Sequence, residues 1–292
     1  MLKNYFNLLR IPQWIKNFFI FVPLVFSQHL FEQDYVKLSL LGFIIFSFIS
    51  SSIYIINDLI DINEDKLHPI KRFRPIPAGL ISKGTAAAVA SILAIGSFAL
   101  LSLTNIKFGG TVLTYFVITI LYSLKLKNIV ILDVFTIAAG FMLRILGGAF
   151  IISVEISSWL ILTTMFISLF LAVMKRRSEL KIVTTDDAGS TRKVLVHYST
   201  EFIDQMSTVT SAGVIICYAL YTVSQRTVSI FKTEHLIYTT PFVVFGIFRY
   251  MYLVYIGKKG ENTTEILVSD LPMIFNIIIY VLVVIAIIYG TF

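Results

Sequence analysis

The residues best equipped for chemistry sit close together: Asn57-Asp58-Leu59-Ile60-Asp61-Ile62-Asn63-Glu64-Asp65, then Lys71-Arg72-Phe73-Arg74. Asn57/Asp58, Asp61 and Asp65 recur at helical spacing, so their side chains are expected to share one helix face. Like charges on one face repel, and a divalent cation relieves that conflict. Asn57, Asp58, Asp61 and Asp65 are therefore the candidate metal ligands. An all-oxygen set favours Mg²⁺, which binds through a few carboxylates together with substrate phosphate oxygens. Lys71, Arg72 and Arg74 follow directly and suit a diphosphate or other phosphorylated substrate. The plainer reading is a solvated acidic helix end bridged to the next loop, but acids beside apolar spans usually mark function. His68 reads as a loop anchor or phosphate contact.

Two further clusters are basic. Tyr122, Lys125 and Lys127 precede Asp133, and Arg144 lies eleven residues beyond it on the same helical face, with Gly140 and Gly147,. An arginine inside an apolar run needs a partner, and an anionic substrate group would serve. The glycines are equally explained by close helix packing. Lys175-Arg176-Arg177 closes another apolar run, and Lys16 lies near the start. Together these cations exceed what one diphosphate requires and point to a substrate pair bearing several phosphates.

These residues are positioned by apolar helices. Of 292 residues, 57% are hydrophobic and 14% charged, against about 25% charged in an average soluble domain. Continuous apolar runs occur near 15–31, 38–60, 84–104, 108–125, 129–152, 157–174, 204–225, 236–256 and 271–291. Each approaches the length of helix that crosses a bilayer core of about 30 Å. The expected fold is all-α: a polytopic membrane bundle of about nine helices forming a single domain over 1–292. The first run has no small-residue cleavage site and reads as a retained helix. Lys and Arg concentrate before the first run and in the even-numbered connections, including Arg192, Lys258 and Lys259, while the odd ones hold only Lys37, Lys107, Arg226 and Lys232. That bias predicts a cell-membrane protein with N-terminus and active site facing the cytoplasm. It places Asn262-Thr263-Thr264 inside, against glycosylation, and accounts for the net charge of +7 without nucleic acid,. The lone Cys217 and scattered histidines make no metal site,.

Asn57-Asp58-x-x-Asp61-x-x-x-Asp65 at the end of a second apolar helix resembles the UbiA superfamily of intramembrane transferases, and the likeness covers essentially the whole chain. The resemblance implies about nine helices and a diphosphate donor held through Mg²⁺. Members that use prenyl diphosphates carry a second motif, Asp-x-x-x-Asp; here Asp133 is present but Ile137 stands at its partner position. Several stretches resemble the branch of decaprenyl-phosphate phosphoribosyltransferases: Gln13-Trp14-x-Lys16-Asn17, His68-Pro69 through Arg74-Pro75, Leu143-Arg144, Met174 to Glu179, and Phe248-Arg249-Tyr250. That branch implies transfer of 5-phosphoribose from phosphoribosyl pyrophosphate (PRPP) to a polyprenyl phosphate. On this reading Asp58, Asp61 and Arg144 are catalytic candidates. Lys71, Arg72, Arg74 and Tyr122 fall to the donor by proximity to the acids. Lys16, Arg144 and Lys175–Arg177 fall to the acceptor or the 5-phosphate, with Lys125, Lys127 and Asn57 as further binding candidates. Asp133 is a metal ligand or stands behind one. The acceptor phosphate is already an anion, so no general base is needed. A prenyl-diphosphate transferase of the same fold is the alternative reading, and a non-enzymatic lipid carrier a more distant one.

Overall fold

A computed structural model describes residues 2–67, 70–183, 193–256 and 269–290, and all regular structure among them is helical. His68, Arg192, Lys258, Lys259 and Asn262–Thr264 lie outside the described residues. In order the helices are α1 (Leu2–Leu8), a 3₁₀ helix (Ile11–Phe21), α2 (Val22–Phe26), α3 (Gln33–Ile60), α4 (Ile62–Leu67), α5 (Lys83–Leu100) and α6 (Ile106–Leu124). Then follow α7 (Leu132–Ile151), α8 (Ser158–Val183), α9 (Thr200–Val223), α10 (Gln225–Phe231), α11 (Thr240–Tyr255) and α12 (Leu271–Ile288).

Among the described residues, eight helical stretches are long and apolar enough to cross a membrane, each at an expected position. The expected first span differs, because Ile11–Phe26 is a shorter apolar helix. Its first eleven residues are 3₁₀, which rises about 2 Å per residue and gives the whole segment roughly 30 Å of reach. Pro12 and Pro23 open its two parts, where a missing N–H costs nothing.

Three residues per turn put Trp14, Asn17 and Ile20 on one face of this segment. That face packs where α3 carries small serines: Trp14 Nε1 donates to Ser51 Oγ at 2.9 Å, and Asn17 Nδ2 to Ser47 Oγ at 3.0 Å,. Ile20 meets α7 so closely that a Cβ on Gly148 would stand 2.1 Å from the Ile20 carbonyl oxygen. A side chain there must push backbone rather than a flexible tip. Gly148→Val is therefore expected to cost about 1–3 kcal/mol or more, read as a lower unfolding temperature in detergent; unchanged unfolding would show that the two segments are not locked together.

One apolar core joins the 3₁₀ segment, α3 and α6 through Ile20, Phe46, Ile49, Phe108 and Val112. Another joins α8, α9, α11 and α12 through Phe170, Met174, Val214, Tyr250 and Met273. Peripheral α5 and α12 leave Ile92, Ile95, Phe275 and Leu282 exposed. Apolar surface on that scale is what lipid covers. The chain is a multi-pass membrane protein.

Candidate active site

Helix α3 does not stop cleanly at its acidic end. Asp61 leaves helical geometry, yet its N–H bonds the Asn57 carbonyl at 2.9 Å, and the Asp65 N–H bonds the Asp61 carbonyl at 2.8 Å. The i to i+4 relation thus runs through the break into α4, and Asn57, Asp61 and Asp65 face one cavity of about 500 Å³. Asp58 lies a hundred degrees round the helix and is buried.

Each of these three aspartates has a basic partner. Asp58 is paired with Arg10 and accepts from Arg74 Nη1 at 3.0 Å. The same Arg74 nitrogen donates to Asp65 Oδ2 at 2.7 Å, and Lys71 Nζ lies 3.8 Å from Asp65. Lys127 Nζ donates to both oxygens of Asp61, at 2.8 and 2.9 Å. The repulsion expected among the aspartates is thus relieved by arginine and lysine. Among the described residues no group of three or more acids, histidines or cysteines is gathered as a metal site. Burial, then the neighbouring Arg10, holds Arg74 below the usual arginine value, with the two aspartates opposing that fall.

Deeper in the cavity, Arg144 is buried and held on three sides. Its Nε donates to Asn17 Oδ1 at 2.6 Å, Nη1 to the Gly140 carbonyl at 2.6 Å, and Nη2 to the Tyr115 hydroxyl at 2.8 Å. The guanidinium also lies 4.7 Å from the Tyr115 ring centroid, a cation–π contact.

Of the residues singled out in the sequence, Lys16, Asn57, Asp61, Asp65, Lys71, Arg74, Tyr122, Lys127, Arg144 and Lys175 line the cavity. Asp58 touches it only through its arginines. Asp133 and Arg176 are fully buried away from the lining, with Arg176 Nε 2.6 Å from Asp133 Oδ2. That contact is coulombic, since the two atoms miss hydrogen-bond alignment. Asp133 Oδ1 accepts from the Tyr198 hydroxyl at 2.7 Å, and that hydroxyl accepts from the Ile131 N–H. Ile131 has a φ of 70°, rare for a β-branched residue, just where α7 begins,. Burial, followed by the hydrogen bond to Asp133, pushes the Tyr198 phenol above its usual range, so it remains a donor. Arg176 also pairs with Glu179 and donates to the Tyr122 hydroxyl at 2.9 Å.

Arg177 is turned away toward Asp204, at 2.6 Å, beneath Tyr255. Arg72, stacked on Phe73, and Lys125 are exposed and do not line the cavity. Arg10, Glu64 and Tyr115, which are not among the site candidates from sequence, also stand in the cavity wall. Arg10 is 48 residues from Asp58, so no local spacing could reveal the pair.

The molecule is a polytopic helical bundle enclosing a polar cavity rich in both acids and bases. The chain belongs to the UbiA prenyltransferase family, whose model matches residues 18–278. It is 31% identical over 217 residues to a decaprenyl-phosphate phosphoribosyltransferase of Mycolicibacterium smegmatis, covering 73% of this chain and 68% of that protein. It is 29% identical over 258 residues to one from Mycobacterium tuberculosis, covering 87% and 84%. In fold it is similar to a UbiA homolog from Archaeoglobus fulgidus solved with DMAPP and Mg²⁺, with a TM-score of 0.75, 19% identity, and 98% and 99% coverage.

Proposed function

We propose that this protein transfers 5-phosphoribose from PRPP to a polyprenyl phosphate, with Mg²⁺, at the cytoplasmic face of the cell membrane. The observation that carries the reading is the charge of the cavity wall. Seven cations (Arg10, Lys16, Lys71, Arg74, Lys127, Arg144, Lys175) face three carboxylates (Asp61, Glu64, Asp65). A prenyl diphosphate and a neutral acceptor bring one anionic group to such a wall. PRPP and a lipid phosphate bring a diphosphate and two phosphates, which fits the excess of positive charge. Relatives named for this reaction lend it support.

Oxygens of Asn57, Asp61 and Asp65 suit Mg²⁺, with Asp58 close behind,. When bound, the ion would neutralise charge on the departing diphosphate. Lys127, which holds Asp61 here, would then turn to phosphate oxygens. The bond from the anomeric carbon to the diphosphate oxygen breaks and pyrophosphate leaves. A bond forms between that carbon, with oxocarbenium character, and an oxygen of the acceptor phosphate. Fixed cations stabilise the charge as it shifts. Apolar Ile53, Ile137 and Phe141 in the wall give the first isoprene units a dry path.

Ile137 also bears on the alternative donor. It stands in the wall where a prenyl-diphosphate site would place its second carboxylate, and Asp133 is committed to Arg176. The deciding experiment incubates purified protein with radiolabelled PRPP, a polyprenyl phosphate and Mg²⁺ and follows label into the lipid phase. Transfer that EDTA abolishes is expected. Absence of transfer from PRPP, with alkylation of an acceptor by a prenyl diphosphate, would overturn the reading.

A further inference from the structure

We infer that Lys16 and Arg144 form a second anion site at the deep end of the cavity, one that takes a phosphate monoester without metal. The inference deepens the phosphoribosyl-transfer reading and rests on it for the choice of ligands. Its first support is the separation of charge. Every carboxylate in the cavity wall comes from residues 61–65, at the end where Lys127 meets Asp61. Arg144 stands about 18 Å along α7 from Leu132, at that same end,.

The second support is a count of hydrogen bonds. A guanidinium has five N–H donors, and Arg144 spends three: on Asn17, Gly140 and Tyr115. One N–H on each Nη remains. Asn17 is itself fixed by Ser47, so the arginine is held rigidly while two of its N–H groups stay unspent. The ammonium of Lys16, in the same wall, makes no hydrogen bond or ion pair among the described residues.

A structural arginine needs only to be satisfied; it gains nothing from a second cation in its cavity. Two cations without a carboxylate, deep in a membrane bundle, are costly until an anion joins them. A phosphate monoester, with three acceptor oxygens, can take the unspent N–H groups and the ammonium together. Both substrates carry such a group, one as the lipid acceptor's phosphate and the other as the 5-phosphate of the donor.

The test is binding to the purified full chain in detergent with EDTA, which silences any metal-dependent diphosphate site. Thermal unfolding is followed against farnesyl phosphate and ribose 5-phosphate, with farnesol and ribose as uncharged controls. At least one phosphate is expected to raise the unfolding temperature where its uncharged partner does not. Lys16→Met and Lys16→Gln should each weaken that binding at least 10-fold, while Lys127→Met leaves it within about 2-fold. A response to farnesyl phosphate assigns the site to the acceptor, and one to ribose 5-phosphate assigns it to the donor. The site is overturned if neither phosphate acts, if the shift survives in a folded Lys16 variant, or if Lys127→Met removes it equally. Failure of PRPP to donate would leave these metal-free titrations standing. Their failure with transfer intact would remove the deep site alone.

Discussion

Asp61→Asn is expected to lower metal-dependent phosphoribosyl transfer roughly 100- to 1,000-fold, the range seen when one preorganised electrostatic contact is lost. Its unfolding temperature should stay near that of the unaltered protein. Asp61 lines the cavity, retains 17% exposure, and has Lys127 as its cation, itself 17% exposed. Partly open ion pairs of this kind contribute little to stability, and asparagine preserves the shape. The negative charge is what the substitution removes, and the proposed metal and diphosphate are what need it. Lys127→Met separates the alternatives. If the pair is only structural, both variants should lose stability alike, with activity following the folded fraction. If Asp61 serves the metal, Lys127→Met should instead raise KM for PRPP and retain most of kcat. A folded Asp61→Asn variant within about 3-fold of full activity would remove Asp61 from the proposed machinery.

The legibility of this protein in its sequence divides along physical lines. Apolar runs of span length stand out, because the bilayer sets their minimum length independently of neighbours. The face shared by Asn57, Asp61 and Asp65 was equally visible, since it depends only on helical period and that period survives the break at Asp61. What lay hidden was pairing at a distance. Arg10 lies in the basic stretch before the first apolar run, yet it meets Asp58 from another segment. Asp133 and Arg176 each looked functional, being ionisable groups in apolar helices. They satisfy each other, which only the packing of α7 against α8 reveals. The 3₁₀ geometry of Ile11–Phe21 is also out of reach, for its pattern suits an ordinary helix and the segment's close contacts with Ser47, Ser51 and Gly148 join residues far apart in the chain.

Arg176→Met is expected to be among the most destabilising single changes in the bundle, at about 3–5 kcal/mol, the cost of leaving a buried charge unpaired. It would leave the Asp133 carboxylate with Tyr198 as a neutral donor. Asp133→Asn should cost less, because Arg176 keeps Glu179 as counter-charge. The double variant, Asp133→Asn with Arg176→Met, should recover part of the loss, since a buried pair replaced on both sides is often close to neutral. A metal-ligand role for Asp133 demands another ordering: Asp133→Asn would abolish transfer without changing unfolding, and no second substitution would restore it. The Tyr122 hydroxyl adds a finer readout. It lines the cavity and accepts from Arg176, so folded Arg176→Met should show a raised KM for PRPP beyond its loss of stability. Unfolding curves for the three variants, set beside transfer rates per folded molecule, separate a buried strut from a ligand. Stability unchanged across the series would show that Asp133 and Arg176 do not hold α7 to α8.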